Sequence, residues 1–237
     1  MSAPPVPPAR VGTFLTLEGP EGAGKTTQSR LLAEHLRAAG HSVVHAREPG
    51  GTAIGEQVRI LLLDPRHREM AARTEMLLFA ASRAQLVAEV VAPALARGAL
   101  VVCERYVDAS LAYQGVGRGL GVEVVRAVNA AATGGVSPDL TLLLDVDAAT
   151  GLRRARGPSS ASGPESEGGD GDRIEREAVA FHVRVREGFL ALARNEPQRI
   201  KVIDARGSVD DVQREIRAAV DGFLGRRRSG RQGRDLP

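Results

Sequence analysis

Residues 13–27 read Thr-Phe-Leu-Thr-Leu-Glu-Gly-Pro-Glu-Gly-Ala-Gly-Lys-Thr-Thr, an apolar run that leads into the pattern G-x-x-x-x-G-K-[ST], with a helical pattern from Lys25 onward. A strand followed by a glycine-rich turn and a helix directs several backbone N–H groups at one point, where the helix dipole also favours anions. In such a turn Lys25 reaches the β- and γ-phosphates, and the Thr26 hydroxyl completes a Mg²⁺ shell. A chance Gly-Lys-Thr turn would lack the flanking strand and helix, so the stretch predicts a nucleoside triphosphate site. We expect these residues to bind ATP: Gly19, Pro20, Glu21, Gly22, Ala23, Gly24, Lys25, Thr26 and Thr27.

Apolar runs and helical patterns alternate along the rest of the chain. The predicted strands are residues 13–18, 42–46, 99–103, 140–145 and 200–204. The predicted helices are residues 25–39, 52–63, 73–97, 121–133, 147–156, 173–195 and 208–224. Such alternation is typical of a parallel sheet with right-handed crossovers and helices on its faces. We expect one α/β domain with the P-loop fold, a parallel five-stranded sheet and ligands beyond the carboxyl ends of its strands.

Composition and charge restrict the class of protein. The chain of 237 residues has a net charge of +3, but residues 225–237 carry five arginines and one aspartate, and without them the net charge is −1. The basic character therefore belongs to a Gly/Arg/Ser tail, which we expect to be disordered, as is the Pro-rich segment 1–12. Aromatic residues make up 3% of the chain, which leaves little material for stacking nucleic-acid bases, so no nucleic-acid partner is expected.

The cellular location follows from simple features of the sequence. The single cysteine, Cys103, cannot form an internal disulfide, and residues 1–10 lack the apolar core of a secretory signal. No run of 18 uncharged apolar residues is present, which argues against a membrane-spanning helix. We expect a cytoplasmic protein without a membrane partner.

A segment rich in small residues interrupts the α/β pattern. Residues 157–171 contain 11 Gly, Ser or Pro among 15 residues and no large aliphatic side chain, so they cannot pack in a core. Arginines flank this segment, at Arg153, Arg154 and Arg156 before it and at Arg173 after it. One interpretation is a solvated linker. The other is a lid over the triphosphate, because arginine stabilises the charge on a phosphoryl group in transfer.

Two pairs of residues with helical spacing form a candidate base-recognition site. Phe79 and Arg83 are four residues apart, so a ring that stacks on a base would lie beside a donor for a base carbonyl. Ser110 and Gln114 have the same spacing, and Gln114 offers both a donor and an acceptor to a pyrimidine edge. The alternative is a core position for Phe79.

Six short motifs give the chain a specific resemblance. They are Leu17–Thr27 around the phosphate loop, Arg47-Glu-Pro-Gly-Gly-Thr52, Phe79-Ala-Ala-Ser-Arg83, Glu104-Arg-Tyr106, Ala112-Tyr-Gln-Gly115 and Asp172-Arg-Ile-Glu175. In this order and spacing they resemble the bacterial thymidylate kinases, of the type with arginines in the lid, over nearly all of residues 13–224. The resemblance implies a nucleoside monophosphate kinase fold with a lid at about residues 153–173. It also implies transfer of the γ-phosphoryl of ATP to dTMP, giving dTDP and ADP for dTTP synthesis.

The same resemblance assigns roles to individual residues. Arg105 holds the acceptor phosphate, Glu21 accepts a hydrogen bond from the sugar 3′-OH, and Tyr113 crowds the position of a ribose 2′-OH. Among the basic side chains, the implied catalytic set is Lys25, Arg105, Arg153, Arg154, Arg156 and Arg173. The implied dTMP-binding set is Glu21, Arg47, Pro49, Arg59, Phe79, Arg83, Arg105, Ser110, Tyr113 and Gln114. A buried structural Tyr113, a strand-end surface Arg105 and a solvated Arg59 are the alternatives.

The metal and the assembly are also implied by the resemblance. Mg²⁺ is the expected cofactor, with Thr26 and Glu104 as its candidate ligands; position 104 holds Glu where the family pattern has Asp. A homodimer is expected through apolar helix faces such as that of residues 73–97. Two other classes keep the phosphate loop: a kinase for GMP, AMP or dUMP, and a regulatory module that binds ATP without transferring a phosphoryl group.

Overall fold

A computed structural model describes residues 11–156 and 171–232, with the side chains of Arg156 and residues 228–232 outside the description. The sheet consists of β1 (Thr13–Glu18), β2 (Val43–Arg47), β3 (Leu100–Glu104), β4 (Leu140–Asp145) and β5 (Ile200–Asp204). These strands lie in the order β2-β3-β1-β4-β5, and each pair is parallel. The predicted α/β fold class with a parallel five-stranded sheet is confirmed, and the strand bounds differ from the predicted ones by one residue at most.

Helices cover both faces of this sheet. They are α1 (Lys25–Ala38), α2 (Ala53–Leu63), α3 (Ala72–Ala96, with a π-helical turn at Val87–Val91), α4 (residues 107–117), α5 (Val122–Thr133), α6 (Ala148–Arg156), α7 (Val179–Asn195) and α8 (Val209–Gln232). Successive residues of β1 alternate between the two faces. Leu15 and Leu17 pack in a cluster with α1 and α8, whereas Phe14 packs with α3. The central strands are therefore buried on both sides, as their continuous apolar runs predict.

One helix was missed, and the start of another requires correction. Residues 107–117, after β3, are helical although no helix was predicted there, and the second part of this segment is a π-helical turn. The helix predicted to begin at residue 173 begins at Val179 instead. The Asp172 carboxylate accepts hydrogen bonds from the backbone N–H groups of Ile174 and Glu175, both at 2.9 Å, so this stretch is a turn held by a side chain rather than a first helical turn.

The basic C-terminal segment is the third correction. Helix α8 continues to Gln232, so residues 225–232 are helical where disorder was predicted. Arg227 explains the difference, because its guanidinium lies 2.8 Å from an Asp139 carboxylate oxygen and donates to the Gly12 carbonyl at 3.2 Å. Asp139 in turn accepts the Phe14 N–H at 2.7 Å, which ties the end of α8 to the start of β1. The predicted disorder at residues 1–10 and 233–237 and most of the predicted lid (residues 157–170) lie outside the described residues.

Helix α3 is long and apolar enough to cross a membrane by length and composition alone, with 39% of its most apolar window buried inside the protein. No other described helix meets this criterion. The sequence criterion of 18 uncharged residues missed this helix because the helix carries charges within its apolar length. Its buried residues Leu86 and Val91 pack against Phe14 and Val101 of the sheet, which is the packing of a core helix.

The contact between the C-terminal helix and the start of β1 predicts a measurable stability effect. Arg227→Ala removes an ion pair and a hydrogen bond that are partly shielded from water, so the free energy of unfolding should fall by about 1 kcal/mol. Arg226→Ala is the matched control, because Arg226 is exposed on the same helix. Urea unfolding of both variants measures the effect. Equal stability of the two variants would show that the Arg227 contact does not stabilise the fold.

Candidate active site

The phosphate loop connects β1 to α1 with glycines in conformations that other residues rarely adopt. Gly22 has a φ of 65°, and a Cβ at this position would lie 1.9 Å from the Gly151 carbonyl oxygen, so a side chain does not fit. The buried Lys25 ammonium donates to the Pro20 carbonyl at 2.6 Å. Burial, followed by the nearby charge of Arg105, lowers the pKa of Lys25 to about 8.

Arg105 links the end of β3 to this loop. Its guanidinium donates to the Gly19 carbonyl at 3.2 Å and to a Glu21 carboxylate oxygen at 2.6 Å. The same Glu21 oxygen accepts the Tyr113 hydroxyl at 2.8 Å, and the Arg105 guanidinium lies 5.0 Å from the centre of the Tyr113 ring. Burial acts to raise the pKa of Glu21, but Arg105 and Lys25 outweigh it and lower the pKa to about 2. Glu21 is therefore an ionised acceptor inside the loop.

The backbone around Arg105 is held in an unusual conformation. Arg105 has a φ of 61°, in the left-handed region that costs a non-glycine residue about 1 kcal/mol. Its N–H donates to the Leu17 carbonyl at 3.0 Å, and the next N–H, of Tyr106, donates to the buried Glu18 carboxylate at 2.8 Å. Burial and the neighbouring Asp108 raise the pKa of Glu18 to about 8. These bonds to β1 aim the Arg105 side chain at the phosphate loop.

Arg83 occupies a fully buried position on α3 beside the cavity. Its guanidinium donates to Glu48 at 2.8 Å, to Asn129 at 2.6 Å and to the Ser110 hydroxyl at 3.1 Å. Burial raises the pKa of Glu48 to about 7, although Arg83 acts to lower it. Arg83 and Ser110, predicted to read the base, thus meet in one hydrogen-bonded group. Glu48 and Asn129 were not predicted, because sequence separations of 35 and 46 residues from Arg83 leave no local signal.

The remaining residues that were predicted to bind the acceptor nucleotide surround the same cavity. Phe79 is half-buried, and the buried Gln114 amide donates to Glu75 at 2.8 Å. Arg47 forms a two-oxygen contact with Glu56, with both distances 2.9 Å, while Arg59 donates to the Pro49 carbonyl at 3.0 Å. Burial, followed by the charge of Arg47, lowers the pKa of Arg59. Both arginines are held by protein partners at the cavity and remain partly exposed to solvent.

Thr26, in the first turn of α1, lies beside Glu104, the last residue of β3. The Thr26 hydroxyl donates to a Glu104 carboxylate oxygen at 2.8 Å. Hydroxyl and carboxylate oxygens are ligands that suit Mg²⁺, which usually takes one or two protein oxygens together with phosphates and water. Among residues 11–156 and 171–232, no group of three or more His, Cys, Asp or Glu side chains that could hold a metal ion is found.

The four predicted lid arginines do not share one environment. Arg154 lines the cavity and donates to the Ala205 carbonyl at 2.7 Å, whereas Arg153 is exposed and donates to the Thr150 hydroxyl at 2.9 Å. Arg173 is buried, where it donates to the Leu62 carbonyl at 2.8 Å and lies 2.7 Å from Glu75. A role for Arg173 above the phosphates is thus corrected, since the turn after Asp172 directs it inward. The Arg156 side chain lies outside the described residues.

One cavity of about 880 Å³ brings most of the predicted site residues together. It extends from the phosphate loop to the residues after β5, where Ala205 and Ser208 lie, and to Phe79 and Gln114 on the other side. Asp172 and Glu175 also line it although neither was a predicted site residue. The motif Asp172-Arg-Ile-Glu175 contained the signal for both, and the sequence interpretation used only its arginine. The cavity has room and donors for a triphosphate and a second nucleotide.

The comparisons with known proteins identify this arrangement. The family model described as Thymidylate kinase matches residues 17–216. The chain belongs to the thymidylate kinase family. It is 54% identical to the thymidylate kinase of Deinococcus radiodurans, with 88% of this chain and 96% of that one aligned. For the enzyme of Desulfovibrio desulfuricans the identity is 48%, with 92% and 99% aligned. The crystal structure of thymidylate kinase from Ehrlichia chaffeensis has a TM-score of 0.69 and 32% identity, and covers 89% of this chain and 98% of that one.

Membership of this family confirms three predictions from the sequence. The P-loop nucleoside monophosphate kinase fold is confirmed, and so is the enzyme class, a phosphotransferase that uses ATP. Thymidylate kinase activity, predicted from six motifs, is confirmed at the level of the family.

The buried pair of Arg83 and Glu48 predicts a large stability effect. Arg83→Met leaves the Glu48 carboxyl buried without its cation, so the free energy of unfolding should fall by about 3 kcal/mol. The loss should be greater at pH 8 than at pH 6. Without Arg83 the folded-state pKa of Glu48 rises further above its unfolded value. The folded variant therefore keeps the Glu48 proton to a higher pH than the native chain, and its free energy of unfolding goes on falling as the pH rises. Denaturant unfolding at both pH values measures it.

Two further variants make this test specific. Arg73→Met is the matched control, because Arg73 is exposed on the same helix, and it should change stability by less than about 0.5 kcal/mol. Adding Glu48→Gln to Arg83→Met should restore part of the stability, since the buried charge is removed. No recovery, or a loss equal to that of Arg73→Met, would contradict the role of the pair.

Proposed function

We propose that the chain transfers the γ-phosphoryl of ATP to dTMP in this cavity, giving dTDP and ADP for dTTP synthesis, with the residues predicted from the sequence in named roles. Phosphoryl transfer needs in-line positioning of the two phosphates and compensation of the charge on the moving group. No covalent intermediate with the protein is required. The donor side of the cavity is proposed to bind ATP, and the acceptor side is proposed to bind dTMP.

The donor side is the phosphate loop at the N-terminus of α1. Backbone N–H groups of the phosphate loop hold the triphosphate, and the Lys25 ammonium binds its β- and γ-oxygens. We assign Thr26 and Glu104 as the protein ligands of Mg²⁺, on the basis of their 2.8 Å contact. When bound, the metal neutralises charge on the β- and γ-phosphates. Arg153, Arg154 and Arg156 are proposed to approach the donor from the lid at residues 153–173, and the lid to exclude water.

The acceptor side is built from β2, α3 and α4. Arg105 is proposed to hold the dTMP phosphate, with Arg47, Pro49 and Arg59 along the same edge. Glu21 receives the sugar 3′-OH, while Tyr113 closes the space of a 2′-OH. Phe79 is proposed to stack on thymine. Arg83, Ser110 and Gln114 are proposed to read its edge.

One observation carries this proposal. The Arg105 guanidinium lies at the carboxyl end of β3 and bonds to both Gly19 and Glu21 of the phosphate loop. Arg105 follows β3 but is bonded to the loop that binds the donor. A cation in this position can hold the acceptor phosphate against the γ-phosphate of ATP. A regulatory ATP-binding module would have no use for a cation at this point.

Replacement of Arg105 separates transfer from ATP binding. Arg105→Ala should lower dTMP-dependent ADP formation by about 10³-fold or more, the range for arginines that act on a transferring phosphoryl group. ATP binding should persist, because the loop backbone and Lys25 remain. A coupled assay for ADP and a fluorescent-nucleotide titration measure the two effects.

The control is Arg30→Ala, since Arg30 is exposed on α1 and pairs only with Glu34 within the described residues. It should leave both readouts unchanged. Transfer by the Arg105 variant at the rate of the Arg30 variant would remove Arg105 from the mechanism.

We also propose a homodimer in the cytoplasm, with no membrane or nucleic-acid partner. Neighbouring helices α2, α3 and α5 expose large apolar side chains, and such a patch is typical of an interface. The exposed residues are Ile54, Ile60, Leu61, Leu77 and Val124. An isologous contact would cover this patch on both copies.

A charge placed in this patch tests the dimer. Leu77→Glu should convert the protein to a monomer in sedimentation-velocity experiments, because an unpaired carboxylate would be buried in the interface. Val183→Glu is the matched control, since Val183 is exposed on α7, away from these helices, and it should stay dimeric. A monomeric native chain, or a dimeric Leu77 variant, would contradict this interface.

A further inference from the structure

Glu75, a residue that was not predicted from the sequence, is in contact with the base-reading side of the cavity. Its carboxylate is fully buried on α3 and accepts the Gln114 Nε2–H at 2.8 Å. Gln114 lies on α4, is itself buried and lines the cavity. Its other amide atom, Oε1, accepts no hydrogen bond from the residues that the structure describes, and the side chain that carries it lines the cavity.

The surroundings of Glu75 keep its carboxylate ionised. Arg118 donates to both carboxylate oxygens, at 3.1 and 2.8 Å, and Arg173 lies 2.7 Å away. Burial acts to raise the pKa of Glu75, but the hydrogen bonds from Arg118 and Gln114 outweigh it and hold that pKa below its ordinary value. An ionised carboxylate only accepts hydrogen bonds. Glu75 therefore accepts the Gln114 NH₂ group and repels the amide oxygen.

A glutamine amide has two orientations that differ by exchange of its oxygen and nitrogen, and a free amide adopts both. With the oxygen turned toward Glu75, a carbonyl would face a buried carboxylate, without a proton between them. We propose that Glu75 is a positioning residue that fixes the Gln114 carbonyl oxygen toward the acceptor base and so selects a 4-oxo pyrimidine over a 4-amino pyrimidine. This inference deepens the proposed function and rests on it.

The selection follows from the hydrogen-bond pattern of the bases. A 4-oxo pyrimidine such as thymine presents an acceptor at O4 and a donor at N3–H, whereas cytosine presents a donor at N4 and an acceptor at N3. On the protein side, Arg83 is a donor and is bonded to Ser110, one helical turn before Gln114. A donor beside a fixed acceptor matches thymine. With cytosine, the Arg83 donor would face the N4 donor, and the Gln114 carbonyl oxygen would face the N3 acceptor. Both protein groups would be left buried without a partner, and a site of this kind rejects such an analogue strongly.

Glu75→Gln tests the proposal through a ratio of two substrates. Glutamine at this position both donates and accepts, so Gln114 is free to turn. The ratio of kcat/KM for dTMP to kcat/KM for dCMP should fall by about tenfold or more, the equivalent of one hydrogen bond. The loss should appear chiefly in KM for dTMP. Because both substrates are measured on one sample, a partly unfolded preparation does not change the ratio.

Glu177→Gln is the matched control. The Glu177 carboxylate belongs to the same ion-pair group, through Arg118 at 2.5 Å, and makes no contact with Gln114. The same chemical change should leave the substrate ratio unaltered. A ratio that falls equally in the Glu177 variant would show a general loosening of α4 and overturn the proposal.

A double-mutant cycle shows whether Glu75 acts through Gln114. In a Gln114→Leu background the Glu75→Gln change should leave the ratio as it is, since no amide remains to be turned. An equal fall in that background would overturn the proposal. If Glu75→Gln fails to fold, Glu75→Asp keeps the charge for both arginines but shortens the side chain by one carbon, and should lower the ratio as well. An unchanged ratio in the variant that folds overturns the inference.

Failure of the inference is distinguishable from failure of the proposed function. If the native chain transfers phosphoryl to dTMP, the function stands whatever the Glu75 variants do. If the native chain has no dTMP-dependent turnover, both proposals fall together.

Discussion

The parallel arrangement of β1 between β3 and β4 is the constraint on which the site depends. Leu17 pairs with Glu104 and with Leu142, so the three strands end side by side at one edge of the sheet. The phosphate loop leaves this edge from β1, and Arg105 leaves it from β3. Glu18 then accepts the Tyr106 N–H and holds the turn that aims Arg105 back at the loop. A shift of one residue in this register would exchange the faces of β3 and separate Arg105 from the loop.

Buried charges give the cavity its shape. Three carboxylates in or beside the cavity, Glu21, Glu48 and Glu75, each contact an arginine from a different part of the chain. Such pairs add little net stability, because the loss of hydration offsets much of the attraction. Their value lies in geometry: an arginine bonded at several nitrogens has one position. A kinase that discriminates between nucleotides needs this fixed arrangement more than it needs additional stability.

The sequence predicted the elements whose signal is local. The strand Thr13–Glu18 was predicted with the bounds it has, because its apolar run is continuous and ends at the first glycine of the loop. Long-range contacts explain what was missed. Glu75 and Glu48 are ordinary acidic residues until the fold brings Gln114 and Arg83 to them. The inward direction of Arg173 depends on a side-chain turn, and the order of residues 225–232 depends on a partner 88 positions away from Arg227 along the chain, Asp139.

The most direct measurement is ADP formation from Mg·ATP with dTMP, dUMP, GMP, AMP or no acceptor, each offered separately. The arrangement of Arg105, Phe79, Arg83 and Gln114 predicts strong turnover with dTMP, weak turnover with dUMP and none with the purine monophosphates. Turnover on GMP or AMP would contradict the assigned base-recognition site while leaving the phosphoryl chemistry in place. ADP release that is independent of every acceptor would contradict a monophosphate kinase altogether.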